Sequence, residues 1–117
     1  MIVKSMDTGV NAMNGRERLP DRRGCETFDL RLGAAEFSVT VGVYANGQIG
    51  EVFVAGAKVG SDMDAVTRDA AILLSLALQY GVPRDVIKGA LTREPNGSAS
   101  SVIGAIVDRL DVLEIPF

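Results

Sequence analysis

Leu76-Ala77-Leu78-Gln79-Tyr80-Gly81-Val82-Pro83 decides the fold, read together with Gly50-Glu51-Val52-Phe53 upstream. The first stretch ends an apolar helix on Gly81, a residue suited to the left-handed C′ position, and restarts the chain at Pro83. The second is the rising strand of a hairpin closed at Asn46-Gly47, where both residues tolerate the positive φ of a type I′ turn. Strand elements therefore precede helical ones along this chain.

Working outward, Phe28, Leu30 and Leu32 alternate with Thr27, Asp29 and Arg31, and Gly33-Ala34-Ala35 turns the chain. Phe37, Val39, Val41 and Val43 then alternate with Glu36, Ser38, Thr40 and Gly42. Ile49 to Ala55 forms a third strand, with Val52 and Val54 on one face and Glu51 and Phe53 on the other. Short turns make the three an antiparallel meander. The period then changes. Ser61 and Asp64 form a capping-box pattern. Met63, Val66, Ala70, Leu73, Leu74, Ala77 and Leu78 follow at helical spacing as the expected inward face. A second helix starts at Pro83 with Val86, Ile87, Ala90 and Leu91 inward. A third runs roughly from Ser100 to Asp111 with Val102, Ile103, Ile106, Val107 and Leu110 as its stripe. The order βββααα predicts an α+β fold, with three helices packed on one face of the meander. Residues 1–15 carry no period and read as a flexible arm; residues 16–117 read as one α+β domain.

Composition removes whole classes of chemistry. The 117 residues include no histidine and one cysteine, Cys25. A Ser-His-Asp triad, a Cys-His dyad, an internal disulfide and a His- or Cys-based zinc site are all excluded within one chain. With no tryptophan and 5% aromatic residues, a stacking platform for nucleic acid is not expected. No apolar run reaches the ~18–20 residues of a membrane span, and no apolar segment follows Lys4. A cytoplasmic protein without a cofactor is the expectation.

The net charge is −3, unevenly spread. Residues 1–24 carry five basic and three acidic groups, whereas the remainder carries 7 and 12. Arg16, Arg18, Arg22 and Arg23 flank Leu19-Pro20, and the planar guanidinium fork suits phosphate or carboxylate. The alternative is a solvated lead-in whose arginines pair with the acidic body. Lys58 lies between Gly56 and Gly60 ahead of a helix start, an environment that attracts anions. The spacing is not that of a P-loop, and Asp62 and Asp64 already place negative charge in the first turn. Glu51, Asp62, Asp64 and Asp69 are carboxylates that could pair on a hard cation, but Asp62 and Asp69, seven residues apart, share a helix face and not one ion. Cys25 has no partner thiol and reads as passive. Ser75 sits in an apolar run, where its hydroxyl bonds its own helix backbone; Gln79 and Tyr80 are placed to tie down the Gly81 turn.

The segments Arg18-Leu19-Pro20, Arg22-Arg23-Gly24, Asn46-Gly47-Gln48-Ile49-Gly50-Glu51-Val52-Phe53, Lys58-Val59-Gly60-Ser61, Ser75 through Pro83 and Glu94-Pro95-Asn96-Gly97 together resemble the C-terminal accessory region of adenosylcobalamin-dependent (class II) ribonucleotide reductases, the TSCPD-type domain. The likeness covers about residues 16 to 110. The Thr-Ser-Cys-Pro-Asp motif itself is absent, and Ser100-Ser101 lies in a comparable place. The resemblance implies a stand-alone accessory domain without the reductase's catalytic groups, and thus no enzyme. It would bind a nucleotide or a ribonucleotide reductase-type partner, with Arg16, Arg18, Arg22, Arg23 and Lys58 as the anion- or partner-contacting residues. The alternative is a self-associating structural protein, a homodimer built on open sheet edges or on the apolar face of the third helix.

Overall fold

A computed structural model describes residues 15–56 and 62–113 of the chain. The expected arm, apart from Gly15, lies outside the described residues, as do Lys58, Gly60 and Ser61. Three strands, β1 (Cys25–Leu32), β2 (Ala35–Val43) and β3 (Ile49–Ala55), precede three helices, α1 (Asp62–Gln79), α2 (Arg84–Ala90) and α3 (Val102–Leu110). The sheet order is β1-β2-β3 with both pairings antiparallel, so the βββααα meander is observed as expected.

The two hairpins close differently from one another. Leu32 pairs with Ala35, and only Gly33 of the two loop residues has positive φ, at 62°. That is the type II′ pattern. Asn46-Gly47 does not form the expected type I′ turn, because Asn46 keeps a negative φ and only Gly47 is positive, at 88°. The Gly47 amide donates to Tyr44 O (2.8 Å) and the Tyr44 amide to Gln48 O (2.9 Å). The loop is therefore three residues long, a turn ending on a left-handed glycine.

Alternation in the strands works as read. Leu30, Phe37, Val39, Val41, Val43, Val52 and Val54 are buried on one face. Thr27 and Thr40 share a hydrogen bond on the other, and Arg31 and Glu36 pair beside them. This is a sheet with one dry and one wet face. The ladder slips between Gly42–Glu51 and Val43–Ile49, which leaves Gly50 as the extra residue of a bulge.

The dry face is covered chiefly by α3. Val102, Ile106, Val107 and Leu110 are no more than 8% exposed and join the strand valines in one cluster. Ser101 caps this helix by accepting from the Gly104 amide at 3.0 Å. The apolar face of α3 is thus spent on the core and is not open to a second copy. Arg93 holds the preceding loop against α3 through a bidentate pair with Asp108 (2.6 and 2.8 Å), and Lys88 of α2 bonds Asp111 at 2.6 Å. Ile87 of α2 and Leu91 just after it pack on the core, but Val86 and Ala90 are exposed. Pro83 stands at the N-cap, one residue before the helix.

Helix α1 departs most from expectation. Leu74 and Leu78 face inward, but Met63, Val66 and Leu73 are more than 60% exposed. The buried side instead carries Thr67, Ala71, Leu74 and Gln79. The cause is position: α1 lies along the outer edge of β3 and meets backbone there. The Val52 amide donates to Ser75 Oγ at 2.8 Å, and Gln79 Nε2 donates to Gly50 O at 2.9 Å. Four helical residues rise ~6 Å and two strand residues ~6.6 Å, so a Ser-x-x-x-Gln spacing is commensurate with alternate strand residues. Edge strands invite pairing by other chains; this edge is closed from within.

Candidate functional site

The corner where β3, the end of α1 and residues 15–24 meet holds two of the three buried polar side chains among the described residues. Glu51 and Gln79 are 8% and 7% exposed. Both lie under residues 15–24, which cross this corner as an ordered strap. The Glu17 amide donates to Gln79 O (2.9 Å), the Val43 amide donates to Gly24 O (3.0 Å), and Tyr44 OH donates to Glu17 O. Burial raises the Tyr44 phenol above its ordinary pKa, so it stays a donor across the physiological range.

Two of the predicted arginines anchor the strap. Arg23 Nε pairs with Glu51 Oε2, and its Nη1 donates to Pro20 O at 2.8 Å. The hydrogen bond from this guanidinium to the Glu51 carboxylate raises its pKa further, so its charge is permanent. Arg16 Nε donates to Gln79 Oε1 at 2.6 Å. Gln79 is therefore used at both ends, accepting from the strap and donating to the sheet edge. It ties more than the Gly81 turn assigned to it from sequence. Ser75 does bond its own helix, with Oγ 2.8 Å from Ala71 O, and also accepts from β3.

Two glycines permit this arrangement. A Cβ on Gly42 would collide with the Glu51 carboxylate, and one on Gly50 with the Tyr44 ring and Leu19. Glycine at these positions is a matter of close approach by side chains.

Beside the strap, α1 and β3 border an open trench of about 460 Å³. Val54, Phe53, Ile72 and Leu76 form its apolar walls; Arg16 stands at one end and Arg68 is on the same lining. Phe53 and Ile72 are 55% and 56% exposed. Eleven residues of helix, from Gln79 back to Arg68, set the two arginines ~16 Å apart. Arg68 also lies 3.7 Å from Asp64. Arg18 and Arg22 are exposed on the strap and have no ion-pair partner among the described residues.

The structure thus gathers Arg16, Arg18, Arg22 and Arg23 on one segment, while Lys58 lies outside the described residues. Sequence reasoning missed Tyr44 and Arg68, which carry no local signal, and undervalued Gln79. Among the described residues, no group of three acidic or cysteine side chains is placed to hold a metal ion, and none of the helices is long and apolar enough to cross a membrane. Cys25 is exposed at the start of β1.

Comparison with known proteins gives a consistent answer. The TSCPD domain model matches residues 11–113. The vitamin B12-dependent ribonucleotide reductase of Rhodopirellula baltica is 42% identical over 89 residues, 74% of this chain and 9% of that enzyme. That of Bradyrhizobium diazoefficiens is 35% identical over 91 residues, 78% of this chain and 7% of the enzyme. That of Streptantibioticus cattleyicolor is 33% identical over 113 residues, 87% of this chain and 19% of the enzyme. The chain spans less than a fifth of each of these relatives, so the similarity is to a small region of a much longer enzyme. No solved structure matches it. With the model covering nearly the whole described domain, this chain belongs to the TSCPD domain family.

Proposed function

We propose that this chain is a non-catalytic binding module that takes an anionic ligand, a nucleotide in the first instance, on the strap and the adjoining trench. One observation carries the reading. Arg16 is held in place through Nε by Gln79 at the trench mouth, which leaves its terminal nitrogens for an anion. Arg18 and Arg22 extend the positive charge along the strap. Arg23, committed to Glu51, fixes the segment that presents them. The arginine fork suits phosphate oxygens, and the exposed Phe53 ring in the trench offers a face on which a base can stack. Lys58, outside the described residues, is the fifth candidate for anion contact.

A second reading is favoured by the comparisons. The relatives carry this region within a B12-dependent ribonucleotide reductase. A separate chain of the same family would then dock on a reductase-type partner through the same arginines. Thermal-shift titration against ribonucleoside and deoxyribonucleoside di- and triphosphates tests the first reading. A ligand at 100 times its Kd adds about 2.7 kcal/mol, and Arg16→Ala with Arg18→Ala and Arg22→Ala should abolish the shift. No shift with any nucleotide, together with capture of a purified reductase by the wild type but not the triple variant, selects the second reading. Neither response refutes both.

A further inference from the structure

Helix α1 carries a second apolar face that the domain itself leaves uncovered. Val66, Ala70, Leu73, Ala77 and Tyr80 recur at spacings of four, three, four and three, which places them on one stripe of the helix. Val66, Leu73 and Tyr80 are 65%, 67% and 46% exposed. The stripe lies about 110° around the helix from Thr67, Ala71, Leu74 and Leu78, the side committed to β3 and the core. An apolar stripe left outside the core-facing side of a helix is a surface that a partner can cover.

We propose that this stripe is the contact between two copies of the chain, paired antiparallel about a two-fold axis at Leu73. Its order is large, small, large, small, large, and reads the same in either direction. A two-fold contact requires that self-complementarity. Val66 and Tyr80 are each seven residues from Leu73, so the axis sets Val66 of one copy beside Tyr80 of the other. Ala70 and Ala77 let the backbones approach to the ~8–10 Å of packed helices. Charge agrees with this pairing. Asp69 flanks the stripe close to the axis, and four residues on either side of the axis separate the two carboxylates by ~12 Å. That exceeds the ~8 Å screening length of physiological salt.

The area is sufficient for a reversible dimer. Eighteen residues make a helix ~27 Å long and ~12 Å across, with about 1,000 Å² of lateral surface. Even with nearly half of this covered, a pair buries no more than about 900 Å². That falls just below the ~1,000 Å² of a stable specific interface, so the contact is a weak, reversible one.

Sedimentation equilibrium of the full chain from 1 to 200 µM tests the proposal. The expected result is a concentration-dependent dimer, weakened at least ~100-fold by Leu73→Glu at the interface centre. Because Leu73 is largely exposed in the single chain, the far-UV CD and melting of the diluted variant should match the wild type. In a Cys25→Ser background, Leu73→Cys places two thiols at the axis, and an added disulfide oxidant such as oxidised glutathione should convert them rapidly to a covalent dimer. Asp85→Cys on α2 should not. A monomer throughout the range overturns the proposal, whether the stripe is then covered by residues 1–14 or by another protein. So does a dimer that Leu73→Glu leaves intact.

Discussion

Replacing Gln79 by leucine isolates the polar work of one side chain, since the two residues are similar in volume. The substitution removes the donor to Gly50 O and the acceptor for Arg16 Nε. Gly50 is buried, and its carbonyl faces α1, where it accepts from the Gln79 amide. A buried acceptor left without a partner costs about 1–3 kcal/mol. The Arg16 contact is exposed on the arginine side and adds less than about 1 kcal/mol. The Glu17 amide still reaches the Gln79 backbone, so the strap keeps one anchor here. The total loss is about 2–3 kcal/mol. A domain of this size holds roughly 6–18 kcal/mol, so the variant folds. At about 4 °C per kcal/mol, its melting temperature falls by about 10 °C. Urea unfolding followed by CD gives the free energy directly. Arg16→Met serves as the control, with an expected cost under about 1 kcal/mol. A loss below ~0.5 kcal/mol for Gln79→Leu would show that α1 does not depend on this latch.

Three further outcomes are expected. Ser75→Ala leaves the Val52 amide without its acceptor and should cost about 1–2 kcal/mol in urea unfolding. Gly42→Ala pushes the Glu51 carboxylate off Arg23; about 1–3 kcal/mol should be lost, and amide exchange should quicken in residues 15–24 more than in α3. The Arg93 hydrogen bond holds Asp108 below its ordinary pKa of 3.8, and the Lys88 hydrogen bond does the same for Asp111. Depressed carboxyl values stabilise the fold above the unfolded value, and this stability is lost as pH falls through the folded values. The urea midpoint should therefore drop below pH 4, and Arg93→Met should flatten that decline while leaving the slope above pH 6 unchanged.

The strands were legible because period-two alternation has one solution for a sheet covered on one side. Phe37, Val39 and Val41 are buried where the pattern puts them, and α3 follows its stripe for the same reason. Helix α1 was not legible in that way. Met63, Val66 and Leu73 are as apolar as Leu74 and Leu78, so periodicity alone had two faces to choose between. The choice is made by Ser75 and Gln79, whose polar atoms must reach the unpaired backbone of β3. Covering a sheet edge inverts the usual rule, because the buried face needs hydrogen-bonding side chains and the outer face is left apolar. The spacing of Ser75 and Gln79 was visible, but its meaning depended on knowing that β3 was the edge. The strap shows a similar gap. Its arginines stand out in sequence, whereas the partners that order it, Tyr44, Glu51 and Gln79, are 21 or more residues away.

The site itself is tested most directly by a ¹H–¹⁵N correlation titration of the labelled chain with a nucleoside triphosphate. The predicted result is a set of saturable shifts confined to residues 15–24, Phe53 and the Arg68–Gln79 stretch of α1, lost when Arg16, Arg18 and Arg22 are replaced by alanine. Saturable shifts centred on the β1 edge or the Arg93–Asp108 corner, or shifts that survive the triple replacement, would contradict the assignment of binding to the strap.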